Sequence, residues 1–406
     1  MICNIHHLIG KEIECKLYEN SELTIRNQHW YDKLNLLLLI HRIQECTGMS
    51  AKRIYGLDCM RALAIMLVLA SHMFNRLEFF GYVGVELFFV LSGFLIGGIL
   101  IKSLEKQKGF NRRDLRRFLI RRFLRTLPNY YLFLLIYSIF ERRVAPGIEK
   151  NSLDYLRYCL FLQNFAWPNP SGYFSHSWSL CIEEWFYLLT SITLFFMLKI
   201  TGNTESGRIR ALGLTAVGFI VLPNLLKFSL GSGFDDLRMV VVFRLDAIMY
   251  GVLMALLQSR FPAWWGKSHF LFMAGSGISI AGIFLYGRSI QAEALALSLM
   301  PMGFSLMIPA IYRLCRTETR IDKAVEWTAT LSYSIYLCHI IIYFGLQGPL
   351  GYNQMSLAGK LVYKVFSVVL IFSVSFLIYR FFEKPVTDFR DRLTRESGRI
   401  DSKTSG

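Results

Sequence analysis

Read along the chain, apolar positions gather into stretches of about 20 residues, the length an α-helix needs to cross a bilayer. Ten such stretches are centred near residues 65, 90, 133, 188, 220, 249, 278, 303, 337 and 371. The third is entered at about Leu127. The pattern predicts an all-α, polytopic membrane bundle with about ten transmembrane helices.

The polar segments between them alternate in charge. Residues 102–125 carry ten Lys and Arg against Glu105 and Asp114, which marks a cytoplasmic loop. Alternation puts residues 199–210, 260–267, 313–323 and the tail after Lys384 on the same side, all of them basic. Residues 75–78, 141–177, 231–236, 287–293 and 346–356 fall on the other side and are short, mixed or acidic. Both termini are therefore expected in the cytoplasm.

Composition agrees with this reading, at 53% hydrophobic and 18% charged residues. The formal charge of +16 would suit a nucleic-acid binder, but such proteins do not carry apolar runs of spanning length, so nucleic acid is not expected as a partner. The eight cysteines, at 3, 15, 46, 59, 159, 181, 315 and 338, have no CxxC spacing, so neither a metal site nor a disulfide framework is expected. Residues 1–49 are polar, lack a secretory cleavage pattern and hold only a short apolar run at 34–40. They form an extension of unassigned role, followed by the bundle at 50–386 and a short tail at 387–406.

Ionisable residues inside the spans are the first place to look for chemistry, because each costs roughly 2.5–3.5 kcal/mol to insert at mid-membrane. In the first span, Arg61 and His72 are eleven helical steps apart, which puts them on nearly one face and ~16 Å apart along the axis. His72 can be a catalytic base or a structural histidine. Arg61 can be a ligand group or an interfacial anchor, and Asp58 can neutralise it. The fourth span opens with His176, Trp178 and Ser179, and Glu183 follows His176 by seven residues, again on one face. That pair can serve as a base and its orienting carboxylate; Glu183 and Glu184 can also be interfacial, with Trp178 and Trp185 in an aromatic belt. Gly93 and Gly97 have the small-xxx-small spacing of close helix packing. The basic run at 121–128, RRFLRTLP, exceeds what topology needs and leaves room for an anionic ligand such as a phosphorylated cofactor.

Several ordered blocks resemble the acyltransferase 3 family of membrane acyltransferases. They are Arg61 with His72, GVELFFVLSGFL at 84–95, RFLRTLP at 122–128, FLQNF at 161–165 and HSWSLCIEEWFY at 176–187, then Arg244, Asp246 and Gly251, LSYSIYLCH at 331–339, and Glu383-Lys384-Pro385. The resemblance covers about residues 54–386. It implies transfer of an acyl group, most often acetyl from acetyl-coenzyme A, to a carbohydrate hydroxyl at the outer face of a bacterial inner membrane. His72 matches the leading catalytic candidate and Glu183 its partner. Arg61, Arg122 and Arg125 match donor-side contacts. Asp58, Asn164, His176, Trp178, Ser179, Arg244, Asp246, Tyr333 and His339 are supporting or acceptor-side candidates. Cys338 stands where an aromatic is common before the histidine, which departs from the family pattern.

The partners implied are the lipid bilayer, acyl-coenzyme A as co-substrate and a carbohydrate acceptor, with no tightly bound cofactor or metal and no signal of oligomeric state. In this reading coenzyme A docks from the cytoplasm, the sugar enters from outside, and His72 removes the hydroxyl proton, by direct transfer or through an acyl-enzyme. A multi-pass transporter or flippase would also line a polar path with such residues, but the first and second sets of five spans show no correspondence. About twenty residues follow Pro385, so transfer is expected to finish within the bundle or with a partner. Met49 directly precedes the first span and is the expected translation start. Mass spectrometry of the native protein should find no peptides from residues 1–48, and finding them would refute that start.

Overall fold

The computed structural model describes residues 53–106, 110–144, 152–167, 174–230 and 233–393. The expected extension at 1–49 and most of the tail lie outside them. Ten long helices carry the fold: α1 (Tyr55–Met73), α2 (Glu78–Lys106), α3 (Arg112–Val144), α4 (Trp178–Thr201), α5 (Glu205–Leu230), α6 (Val241–Arg260), α7 (Ser268–Leu285), α8 (Ile290–Ile311), α9 (Arg320–Gly345) and α10 (Leu357–Ile378). No strand occurs among the described residues. Nine of these helices are long and apolar enough to cross a membrane, as a multi-pass integral membrane protein requires.

The exception is α3, where a span centred near residue 133 was expected. Its 33 residues open with seven arginines between 112 and 125, and its apolar part runs only from about 127 to 140, so by length and composition it falls short of the pattern the other nine meet.

Helix ends follow local chemistry. Thr319 and Asp322 close a capping box at the start of α9, and the Ser289 and Ser356 side chains cap α8 and α10. After α10 the chain widens into a π turn at Tyr379–Glu383. Pro385 explains it: the proline ring clashes with the carbonyl four residues back in a regular helix, and a wider turn relieves the clash.

Within the bundle α2 and α6 are central. Of the apolar window of α2, 72% is buried, against 22% for the span that contains α10. The outward faces of α5, α7 and α10 carry exposed apolar side chains such as Val221, Leu225, Phe270, Met273, Leu361 and Val365, as a lipid-facing rim requires. The α2–α6 contact depends on glycine. A Cβ built on Gly93 would fall on the Ile248 carbonyl, and one on Gly251 would fall on that of Val90. Gly97 sits one turn further along the same seam, against Val252 and Ala255.

The basic segments gather at one end of the bundle. Arg260, at the end of α6, pairs with Glu105 at 3.5 Å and Glu205 at 2.6 Å, and Arg208 donates to the Leu104 carbonyl at 2.6 Å. The ends of α2 and α6 and the start of α5 thus lie together, as the alternation of charge requires.

Gly93→Ala should lower thermal stability in detergent by about 1–3 kcal/mol through overpacking. Gly98→Ala, with nothing within 4 Å of the added carbon, should be neutral or slightly stabilising. Equal effects at both positions would show that the seam does not set the packing.

Candidate active site

Two cavities lie on the side of the bundle formed by α1, α2, α4 and α9. The inner one, of about 120 Å³, is lined by Arg61 of α1, Ser92 and Leu95 of α2, Arg122, Arg125 and Thr126 of α3, Glu183 and Tyr187 of α4, and Ser332 and Tyr333 of α9. Arg122 and Arg125 share a face because three residues separate them on a helix. That face is locked in place. Thr126 donates to Glu184 at 2.5 Å, Tyr333 donates to the Thr126 carbonyl at 2.7 Å, and Glu383 accepts from Asn129 at 3.2 Å and Ser334 at 2.7 Å. Glu383, from the π turn, therefore ties the end of α10 to α3 and α9.

Arg61 pairs with Asp58 at 3.5 Å, and the Arg122 guanidinium lies 5.9 Å from the Tyr187 ring centre. Glu183 accepts from the Tyr187 hydroxyl at 3.1 Å, and Tyr187 also bonds Ser92. Three guanidinium groups thus line the cavity with one carboxylate, a setting that favours an anion.

The outer cavity, of about 1040 Å³, is lined by His72, His176, Trp178 and Arg238 together with Tyr82, Phe234, Asp235, Tyr286, Phe344, Gln347, Tyr352 and Lys360. Aromatic walls with both signs of charge suit a polyhydroxylated ligand, whose C–H faces stack and whose hydroxyls bond. The His72 ring centre is 5.1 Å from that of His339, which in turn is 5.4 Å from that of His176. The His339 Nδ1 lies 2.7 Å from the Tyr336 carbonyl, so it carries the proton and donates, which leaves Nε2 as an acceptor. His339 Nε2 is buried and bonds no protein group among the described residues, and the buried His176 ring has no side-chain partner. The same residues contain no cluster of three or more metal-ligating side chains with metal-binding geometry.

The expected pairing of His72 with Glu183 is not what the geometry shows. His72 lines the outer cavity and Glu183 the inner one. A spacing of seven residues fixes a helix face but moves ~10 Å along the axis, so His176 and Glu183 share a face at different depths. The neighbour of His72 is His339.

The other expected residues divide into wall and frame. Trp178 lies in the outer wall with the Arg238 guanidinium 5.5 Å from its ring centre, and Ser179 and Tyr333 lie in the inner wall. Asn164 lies outside both cavities and donates to the Trp178 carbonyl at 3.0 Å and the Met239 carbonyl at 2.5 Å, fastening the preceding loop to α4 and α6. Arg244 and Asp246, expected as supporting or acceptor-side residues, also lie outside both cavities. Arg244 pairs with Glu86 and donates to the Leu297 carbonyl at 2.7 Å. Asp246 pairs with Lys227 at 2.7 Å and accepts from Ser298 at 2.8 Å. All four charged groups are fully buried.

Glu86, Lys227, Arg238 and Tyr336 were not singled out from the sequence. Glu86 and Lys227 had a signal, as lone charges inside apolar runs. Tyr336 had none, since an aromatic in a span reads as core.

A family profile described as an acyltransferase domain matches residues 54–380. The chain belongs to the acyltransferase 3 family. Within the family it is similar to the peptidoglycan O-acetyltransferase OatA of Listeria monocytogenes, at 33% identity over 177 residues, which cover 40% of this chain and 28% of the relative. It is also similar to the O-acetyltransferase OatA of Staphylococcus aureus, at 30% identity over 159 residues, covering 37% and 26%. The matched stretch thus spans little more than a quarter of either relative.

If Arg244 belongs to the frame of this acyltransferase 3 chain, Arg244→Met should cost about 3–5 kcal/mol in thermal unfolding by stranding Glu86, and adding Glu86→Leu should recover most of it. A single variant as stable as wild type would return Arg244 to the candidate ligand groups.

Proposed function

We propose that this chain is a membrane O-acetyltransferase that moves an acyl group, acetyl first among them, from acyl-coenzyme A to a hydroxyl of an envelope polysaccharide. The observation that carries the reading is the pair of cavities with opposite chemistry on one side of the bundle, one lined by arginines and the other by aromatics around His72. At about 120 Å³ the inner cavity has room for the reacting end of a thioester but not for a nucleotide. The phosphates of coenzyme A then sit at its mouth against Arg61, Arg122 and Arg125. Arg61 and His72 are ~16 Å apart along α1, a separation that a phosphorylated head with a long arm, such as coenzyme A, suits. The relatives named for peptidoglycan O-acetylation support a cell-wall glycan as acceptor.

The chemistry follows from the neutral imidazole. His72 takes the proton of the acceptor hydroxyl as its oxygen attacks the thioester carbonyl, forming the C–O bond. The tetrahedral intermediate collapses with cleavage of the C–S bond, and the thiolate regains the proton from His72. The inner cavity faces the cytoplasm in this reading, with both termini on that side of a bacterial inner membrane, where the basic segments gather.

Wild type and His72→Ala, matched in membrane level in a strain lacking the protein, should differ at least ~100-fold in acyl esters on extracted envelope glycans and in thiol released from acetyl-coenzyme A. Equal ester levels would make His72 structural. Wild-type membranes that consume no acetyl-coenzyme A would favour a transporter.

A further inference from the structure

Among the described residues, Val85 and Tyr336 are the only ones that line both cavities. Resting on the donor reading above, we propose that these two side chains form the wall between donor and acceptor and set the length of the acyl chain the protein accepts.

Tyr336 is held as a wall is held. Its hydroxyl donates to the His176 carbonyl at 2.8 Å and lies 2.5 Å from the Ser179 hydroxyl. A tyrosine has one hydroxyl proton, so with that proton on the carbonyl, Ser179 is the donor in the second bond. Both contacts come from the start of α4, and they fix the ring across the gap between α4 and α9. Its ring centre is 6.5 Å from that of Phe88 and 5.6 Å from that of His176. With its proton committed and its oxygen already accepting, the hydroxyl is neither acid nor nucleophile in this geometry. What Tyr336 presents to either cavity is the bulk of its ring.

The consequence concerns space. A thioester reaching up from the arginines must place its carbonyl at the wall to meet a hydroxyl beside His72, and its alkyl chain must fit what remains of about 120 Å³. An acetyl methyl group fits; each further methylene is pressed against Val85 or Tyr336. Cutting either side chain back widens the gap between this space and the outer cavity of about 1040 Å³ and gives a long chain somewhere to lie.

The test is binding of unreactive S-ethyl-, S-butyl- and S-hexyl-coenzyme A thioethers to the full chain in lipid nanodiscs by calorimetry, for wild type, Tyr336→Ala and Val85→Ala. Wild type should bind the hexyl compound at least about tenfold more weakly than the ethyl compound, and in both variants that ratio should fall toward one. The ratio is internal to each variant, so a uniform loss of affinity or of folded protein does not move it, and Val85→Ala guards against failure of the larger truncation to fold. Equal discrimination in all three proteins, or none in wild type, overturns the wall. A wild type that binds no thioether overturns the donor reading itself, and the wall with it.

Discussion

A charge inside a lipid bilayer persists only where the protein supplies its partner, and the rest of this structure depends on how that demand is met. Arg244 and Glu86 join α6 to α2, and Asp246 with Lys227 and Ser298 joins α6 to α5 and α8. The glycine seam lets α2 and α6 come close enough for the first pair to form. Together these contacts fasten α6 to three neighbouring helices.

The two cavities differ in a way that suits passage of a small acyl group between unlike molecules. The inner one is small and cationic, built on α3, whose first half carries seven arginines. The outer one is large and aromatic, with His72 and His176 in its wall and His339 packed against both. A buried ring nitrogen that bonds no protein group, such as His339 Nε2, is costly unless a ligand or solvent meets it. That cost is tolerable where the site is built to receive a hydroxyl.

Much of this was legible in the sequence because a run of about 20 apolar residues is an unambiguous physical requirement. The separation of Arg61 from His72 was legible too, since both stand on one continuous helix, and the structure puts them in different cavities as their spacing implies. What failed involved depth and distance in sequence. Spacing placed His176 and Glu183 on one face but could not say that Glu183 lies in the inner cavity, away from His72. Glu86 and Arg244 are 158 residues apart, and no local pattern joins them. Tyr336 is an aromatic among apolar neighbours, and only the position of the second cavity gives it a part. The third span is the least apolar of the ten because the arginines before Leu127 stand on the same helix.

The central claim is that donor and acceptor meet from opposite faces at one wall. Electron cryo-microscopy of the full chain with bound coenzyme A tests it most directly. The account predicts phosphate density against Arg61, Arg122 and Arg125, with the thiol end pointing through the inner cavity toward Val85 and Tyr336. Coenzyme A lodged in the aromatic cavity beside His72, with the arginines unoccupied, would contradict it.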